Sequence, residues 1–321
     1  MAIRKGRVEV VVQDVEGKVR LDAYLASQTQ QIGRSTLSEA STEIYLNGKM
    51  AKKSKNVKKG DVITVIYSQE FFEGLKAQNI ALSVIHEDDD LLVINKAQGM
   101  VVHPANGNYE DTLVNALLYR YGEGFASEIG DAWDKEGDKD EDFASTLLSP
   151  AIRPGIVHRL DKDTSGVMVV ARNRISHRIL SAQFKEHTTS KIYIALAKGY
   201  FPKKQGTIDA HLCRDKKDRK KFTVCSAEEG RNALTDYRVL KQYEGFALVR
   251  ITLHTGRTHQ IRVHFASLGH PLVGDVLYGK SDGTTLMLHA LSLELHSPST
   301  GLCMKFHAPL PERFKTFIKG K

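Results

Sequence analysis

The 321-residue sequence predicts an α+β protein with a small basic N-terminal module and a larger mixed domain. Three observations predict it. Residues 20–67 carry helical spacings, a tight-turn signal and an alternating strand in one short span. A polar stretch, SQEFFEGLKAQNIA (68–81), follows as a linker, placing the parts at residues 1–75 and 76–321. Beyond it, strands and helices succeed one another without a regular βαβ period, which favours mixed or antiparallel pairing over a parallel sheet.

Taken in order, Leu21, Tyr24 and Leu25 recur at helical spacing, and a second helix is expected near Ser35, an N-cap residue type ahead of Thr36-Leu37-Ser38-Glu39. EIYLNGKMA (43–51) reads as a strand and a turn at Asn47-Gly48, and GDVITVIY (60–67) as an alternating strand. In the second part, LSVIHEDDDLLVINK (82–96) reads as two strands around an acidic turn, Glu87 to Asp90. DTLVNALLYRY (111–121) is apolar at Leu113, Ala116, Leu117 and Tyr121, a helix with Asp111 as its expected cap. RISHRILSAQFKEH (174–187) is the clearest helix and SKIYIALAKGY (190–200) the clearest strand. In GIVHRLDKDTSGVMVV (155–170), Val167–Val170 reads as a buried strand and Gly155–Val157 as another short one. No internal repeat is evident.

Composition narrows the class. Hydrophobic residues make up 41% and charged residues 26%, an ordinary soluble mixture. No apolar run approaches the roughly 20 residues of a membrane span, and MAIRKGRVEV lacks the apolar stretch of a secretory signal. None of the three cysteines, Cys213, Cys225 and Cys303, belongs to a CxxC pair, which argues against a disulfide framework or a structural zinc. A cytoplasmic monomer is expected.

The net charge of +8 is unevenly distributed. Residues 122–150 hold nine acidic residues against Lys135 and Lys139, a local net of −7, and are too polar for a core, so a surface loop is expected there. The remainder is strongly basic. KKSKNVKK (52–59) has five lysines and RDKKDRKK (214–221) six basic residues. One such run is usually a solvated face, but two in different regions favour a polyanionic partner such as nucleic acid.

Spacing then tests the chemistry. DTSG (163–166) has an extra residue relative to the Asp-Thr-Gly of an aspartic protease, and no second loop exists to share its proton. His254, His259 and His264 are five apart, which fits no helical HExxH or Cys/His cluster, and on a strand their faces would alternate. No metal is therefore expected. GxxxxGK[ST] and a strand-linked GxGxxG are both missing, which disfavours phosphate-loop and dinucleotide chemistry. What remains is a carboxylate beside an arginine at the end of a core strand, and residue patterns leave a structural ion pair and a functional site equally open.

The N-terminal module resembles the S4 RNA-binding domain in Arg20-Leu21-Asp22, Arg34-Ser35, Asn47-Gly48-Lys49 and Gly60-Asp61, departing from it at Thr42, where that family usually has glycine. The rest resembles the RluA-type family of pseudouridine synthases. GIVHRLDKDTSGVMVVARN (155–173) is very similar to the family signature, LLVINKAQGMVVHP (91–104) to its first motif, KIYIALAKG (191–199) to its tyrosine motif, and LHTGRTHQIRVHFASLGHPLVGDVLYG (253–279) to its third. Ala97 stands where the family usually has proline.

The resemblance implies a long mixed, largely antiparallel sheet with a central cleft. The implied activity is the isomerisation of uridine to pseudouridine in RNA, without a cofactor. It assigns the catalytic carboxylate to Asp161 and leaves Asp163 a loop or capping residue. Arg262 would form an ion pair with Asp161, keeping the carboxylate ionised. Tyr193 would stack on the flipped base and help take the proton from carbon 5, and Arg159 would fill the space the base leaves. Arg257 and His259 are expected in structural or backbone-binding roles, Lys96 in the cleft wall, and Arg34, Lys49, Arg219 and Lys220 as RNA contacts. An S4-like module on this domain resembles the large-subunit ribosomal RNA enzymes more than the transfer-RNA type. A ribosomal RNA stem-loop, within a ribosomal precursor particle, is thus the expected partner. Two rival functions fit the residues less well. A non-catalytic RNA-binding assembly factor would have no reason to keep Asp161, Tyr193 and Arg262 together. A glycosidase would need a second carboxylate about 5–9.5 Å away, and the motifs hold none.

Overall fold

The computed structural model describes residues 2–13, 15, 17–28, 42–71, 76–104, 109–122, 125 and 154–320. Arg34, the helix expected near Ser35 and nearly all of the acidic stretch 122–150 lie outside the described residues. The chain divides into two compact units, Met1–Gly74 and Leu75–Lys321.

In the first unit, β1 (Ala2–Val11), which the sequence reading did not anticipate, pairs antiparallel along its whole length with β6 (Val62–Phe71). Between them in sequence lie β2 (Val19–Arg20), α1 (Leu21–Gln28), β3 (Glu43–Leu46), β4 (Lys49–Met50) and β5 (Asn56–Val57), and the main sheet runs β1-β6-β3-β4. Strand β6 thus extends into the stretch read as linker. Leu21, Tyr24 and Leu25 of α1 bury against Ile44, Leu46, Ile63 and Val65, the core that their spacing called for. Asn47 and Gly48 both have positive φ, 52° and 74°, as a two-residue hairpin turn with the twist of the strands requires. The Asn47 amide donates to Asp61 and its carbonyl accepts from the Val62 amide, so the turn is tied to β6.

The second unit is built on one ten-stranded sheet. Its strands are β7 (Val84–Glu87), β8 (Leu91–Lys96), β9 (Ser165–Ala171), β10 (Ser190–Lys198), β11 (Gln205–Arg214), β12 (Phe222–Cys225), β13 (Arg231–Gln242), β14 (Phe246–Leu253), β15 (Leu288–His296) and β16 (Cys303–His307). The order is β12-β11-β13-β14-β10-β15-β9-β8-β7, with β16 on β15. Among the described strands only β15 and β9 pair in parallel, so the sheet is mixed and largely antiparallel. Its helices among the described residues are α2 (Leu113–Tyr121), α3 (Arg174–Lys185), α4 (Gln260–Ser267) and α5 (Glu312–Lys319).

Strand β9, between β15 and β8, is buried on both faces. Met168 and Val170 join a core with Leu113 and Leu117 of α2 and Ile261 and Phe265 of α4, while Val167 and Val169 join one with Leu180 of α3. Strand β10 alternates likewise, with Tyr193 on the first core and Ile194 packed with Phe314 of α5 on the opposite face.

Three local expectations are corrected. Thr112, not Asp111, caps α2: its hydroxyl accepts from the Asn115 amide while the Asn115 side chain accepts from the Thr112 amide. A β-hydroxyl one residue closer to the helix fits this reciprocal box, and Asp111 takes a left-handed φ of 59° instead. Gly155–Val157 is no strand, because only Ile156 forms a bridge, to Val170. His259 and His264 do not lie on a strand, since His259 is the N-cap of α4 and His264 is inside it.

Candidate active site

Asp161 lies in the turn that leads into β9, where the Thr164 amide donates to the Asp161 carbonyl at 3.0 Å. Gly166, just past the turn, has φ 121°, and a Cβ there would meet the Ala290 carbonyl oxygen of β15 at 2.1 Å. The strand behind the turn thus approaches its parallel neighbour at a distance only glycine permits.

The outward carbonyls of the turn are held by the segment after β8. The Lys96 ammonium, 1% exposed, donates to the carbonyls of Ala97, Met100 and Lys162 at 3.0, 2.8 and 3.1 Å. Burial pulls its pKa down to about 8, opposed by the charges of Asp161 and Asp163. The Gln98 amide bridges the carbonyls of Asp163 and Leu286, both at 2.8 Å, and the Gly99 amide donates to Lys162. The NKAQG segment thus clamps the turn that carries Asp161.

Asp161, Arg159, Tyr193, Arg257, His259 and Arg262 all line one open cleft of about 900 Å³. Arg262, on the first turn of α4, places Nη1 3.6 Å from Asp161 Oδ2. That ion pair is present, but the principal partner of Arg262 is one the sequence reading missed. Asp275, 1% exposed, accepts from Nε and Nη2 of Arg262 at 2.8 Å each, a bidentate clamp. Asp275 also accepts from the amides of Leu277 and Tyr278, and the Arg262 guanidinium lies 5.2 Å from the Tyr278 ring centre. The Asp275 carboxyl is held low: burial opposes this, but the hydrogen bonds and charge of Arg262 prevail. The signal was in the quoted third motif, where GDVLYG places a carboxylate and a tyrosine three apart.

Tyr193 projects from β10 into the cleft core, 9% exposed, and burial together with the Asp161 charge raises its pKa, so the phenol stays protonated. His259, at a left-handed φ of 56°, sits between Asp161 and Tyr278. Tyr278 accepts from the Phe222 amide at 2.8 Å, and its hydroxyl is 2.8 Å from His259 Nδ1. His259 Nδ1 and the Tyr278 hydroxyl thus share a hydrogen bond, and Nε2 lies 3.9 Å from Asp161 Oδ2. Burial lowers the pKa of His259, in keeping with a neutral ring.

The other expected residues are less gathered. Arg257 donates from Nε to the Asn232 carbonyl on the rim. Arg219 and Lys220 are exposed on the connection between β11 and β12, whose Leu212 and Phe222 line the cleft. Lys49 is exposed on β4 of the other unit. His254 pairs with Asp236 and buried His264 contacts Thr235, so the three histidines serve separate places. Among the described residues no group of His, Cys, Asp or Glu could hold a metal ion, and no helix is long and apolar enough to cross a membrane.

A family model for RNA pseudouridylate synthases matches residues 90–267, which span the Asp161 turn, Tyr193 and Arg262. The chain belongs to the RNA pseudouridylate synthase family. It is 38% identical to "Ribosomal large subunit pseudouridine synthase D" of Borreliella burgdorferi, over 95% of this chain and 90% of that one. It is 41% identical to an RNA pseudouridine synthase of Aquifex aeolicus, over 96% of each. A solved structure, human RNA pseudouridylate synthase domain containing 1, superposes with a TM-score of 0.54 at 26% identity, covering 75% of this chain and 94% of that one. This pseudouridylate synthase is therefore an isomerase that acts on RNA.

Proposed function

We propose that the chain converts uridine to pseudouridine in large-subunit ribosomal RNA, with Asp161 as the catalytic carboxylate. The observation that carries the site is Asp161 in the cleft, 3.6 Å from an arginine that a second buried carboxylate holds in place. The substrate rests on the relatives from Borreliella burgdorferi and Zymomonas mobilis named for the large ribosomal subunit.

The reaction breaks the bond from nitrogen 1 to the ribose, turns the base and joins carbon 5 to the ribose; carbon 5 loses a proton and nitrogen 1 gains one. Atoms and oxidation state balance without a co-reactant. Asp161 begins it, by attack on the nucleoside or by taking a ribose proton. Arg262 pairs with the carboxylate, and the His259 ring lies beside it. Tyr193 forms the floor on which the base stacks. Its raised pKa disfavours a phenolate, so stacking is the role its surroundings support, above proton removal at carbon 5. Arg159, exposed at the cleft mouth, occupies the gap left in the RNA. Residues 1–75 act as an S4-like RNA-binding module, and the protein works as a cytoplasmic monomer on ribosomal precursor particles.

Tritium release from RNA labelled at carbon 5 of uridine tests the chemistry. Asp161→Asn abolishes release, and release that survives it removes Asp161 from its role. Pseudouridine mapping in a strain lacking the gene tests the substrate: sites are lost from large-subunit RNA, whereas loss confined to transfer RNA overturns that assignment.

A further inference from the structure

Helix α3 carries a row of cations that the motifs do not explain. Arg174, Arg178, Ser181 and Lys185 are spaced four, three and four apart. At 100° per residue they fall within about 60° of one another, and the row runs about 16 Å along the helix. Ser176, His177 and Leu180 point into the protein, while Arg174, Arg178 and Lys185 are exposed. Arg178, Ser181 and Lys185 line the same cleft as Asp161.

None of the three cations has an ion-pair partner among the described residues. Some other exposed cations of this unit do, as in Lys216–Glu229, Lys305–Glu294 and Lys315–Glu312. Arg174 and Arg178 are like charges at i,i+4, an arrangement that weakens a helix on its own. Glu186, the C-cap, also borders the cleft but lies off the row. The row is unfavourable in the free protein and is relieved by an anion with repeated charge.

We propose that Arg174, Arg178 and Lys185 bind successive backbone phosphates of the RNA strand that delivers the target uridine. The inference rests on the reading of the cleft as an RNA-modifying site. Helix α3 is then one bank of the RNA path. The connection between β11 and β12, with exposed Lys217, Arg219 and Lys220, borders the same cleft through Leu212 and Phe222 as another. The contacts are to phosphate, so they position the strand and are indifferent to its sequence.

Binding of large-subunit ribosomal RNA transcripts is measured across a salt series, with Asp161→Asn as parent so that nothing turns over. Each phosphate contact contributes roughly 0.7–0.9 to the slope of log K against log salt, so removing three cations by Arg174→Ala, Arg178→Ala and Lys185→Ala lowers it by about 2–3. Single Arg178→Gln lowers it by about 0.7–0.9, a check that needs no triple variant to fold, and Arg178→Lys keeps it. Lys319→Ala on α5, which packs on the face of β10 opposite Tyr193, leaves the slope unchanged. A triple variant that folds and keeps the parent slope overturns the proposal, as does an unchanged slope in Arg178→Gln. Either failure leaves tritium release by the native enzyme intact, whereas failure of the uridine chemistry shows as its absence.

Discussion

Asp275→Asn isolates the clamp on Arg262. The asparagine keeps the shape and an oxygen for the Leu277 and Tyr278 amides, but turns an NH2 toward a guanidinium that had two acceptors at 2.8 Å. Hydrogen bonds to charged groups are worth about 1.5–3 kcal/mol each, and breaking a buried ion pair costs about 3–5 kcal/mol. Asp161 remains near Arg262, so the lower end, about 3 kcal/mol, is expected. At roughly 2–4 °C per kcal/mol in a domain of this size, the melting temperature falls by about 6–12 °C. Arg262, released from its anchor, swings toward Asp161, and a displacement of about 1 Å lowers single-turnover tritium release about 100-fold. The decisive assay is a double-mutant cycle with Arg262→Met. If Asp275 exists to hold Arg262, the double variant regains much of the stability lost in Asp275→Asn, because no buried charge is left unpaired. Additivity of the two changes within about 0.5 kcal/mol would refute the reasoning.

Three further outcomes follow from the same geometry. Burial depresses His158 to about 3 and His264 and His289 to about 4, and His158 Nε2 accepts from the Val169 amide, which requires a neutral ring. The unfolded chain takes up these protons below about 6.5 while the folded one does not. Stability therefore falls from pH 6.5 toward 4.5, by up to about 1.4 kcal/mol per pH unit for each ring. Urea titrations should show the slope reduced in His264→Gln, and an unchanged slope would count against it. His259→Ala lowers the rate of tritium release while RNA affinity holds, and His259→Gln, which can donate from the same place, restores part of it; equal rates in the two variants argue against a donor. Gly166→Ala forces β9 away from the Ala290 carbonyl and destabilises the second unit by about 3 kcal/mol in denaturant, the upper end for overpacking, with a loss under about 1 kcal/mol showing that the strands can part.

Much was legible in the sequence where signals are local. The Asn47-Gly48 turn, the strands flanking Glu87–Asp90, the α3 helix and β10 lie where periodicity placed them, because side-chain period and turn chemistry act within a few residues. Errors fell where two local signals competed: Asp111 and Thr112 are both capping types, and only the packed end of α2 selects between them. Strand β1 was missed because its pairing partner, β6, is more than fifty residues away and its own pattern is masked by charge.

The same division runs through the site. By itself the sequence determined the family, the mixed sheet and a carboxylate, a tyrosine and an arginine in motifs, since long specific strings survive without reference to folding. Only the tertiary structure decided what each group touches. Segments 96–99, 161–164, 257–262 and 275–278 converge from four places in the chain. That convergence makes Asp275 the anchor of Arg262, sets His259 between Tyr278 and Asp161, and buries Lys96 as the clamp of the turn. Such assignments depend on distances set by sheet order, which no local pattern encodes. The cation row of α3 stands between the two cases: its spacing is written in the sequence, but the cleft it faces exists only once β9, β10 and α4 have packed.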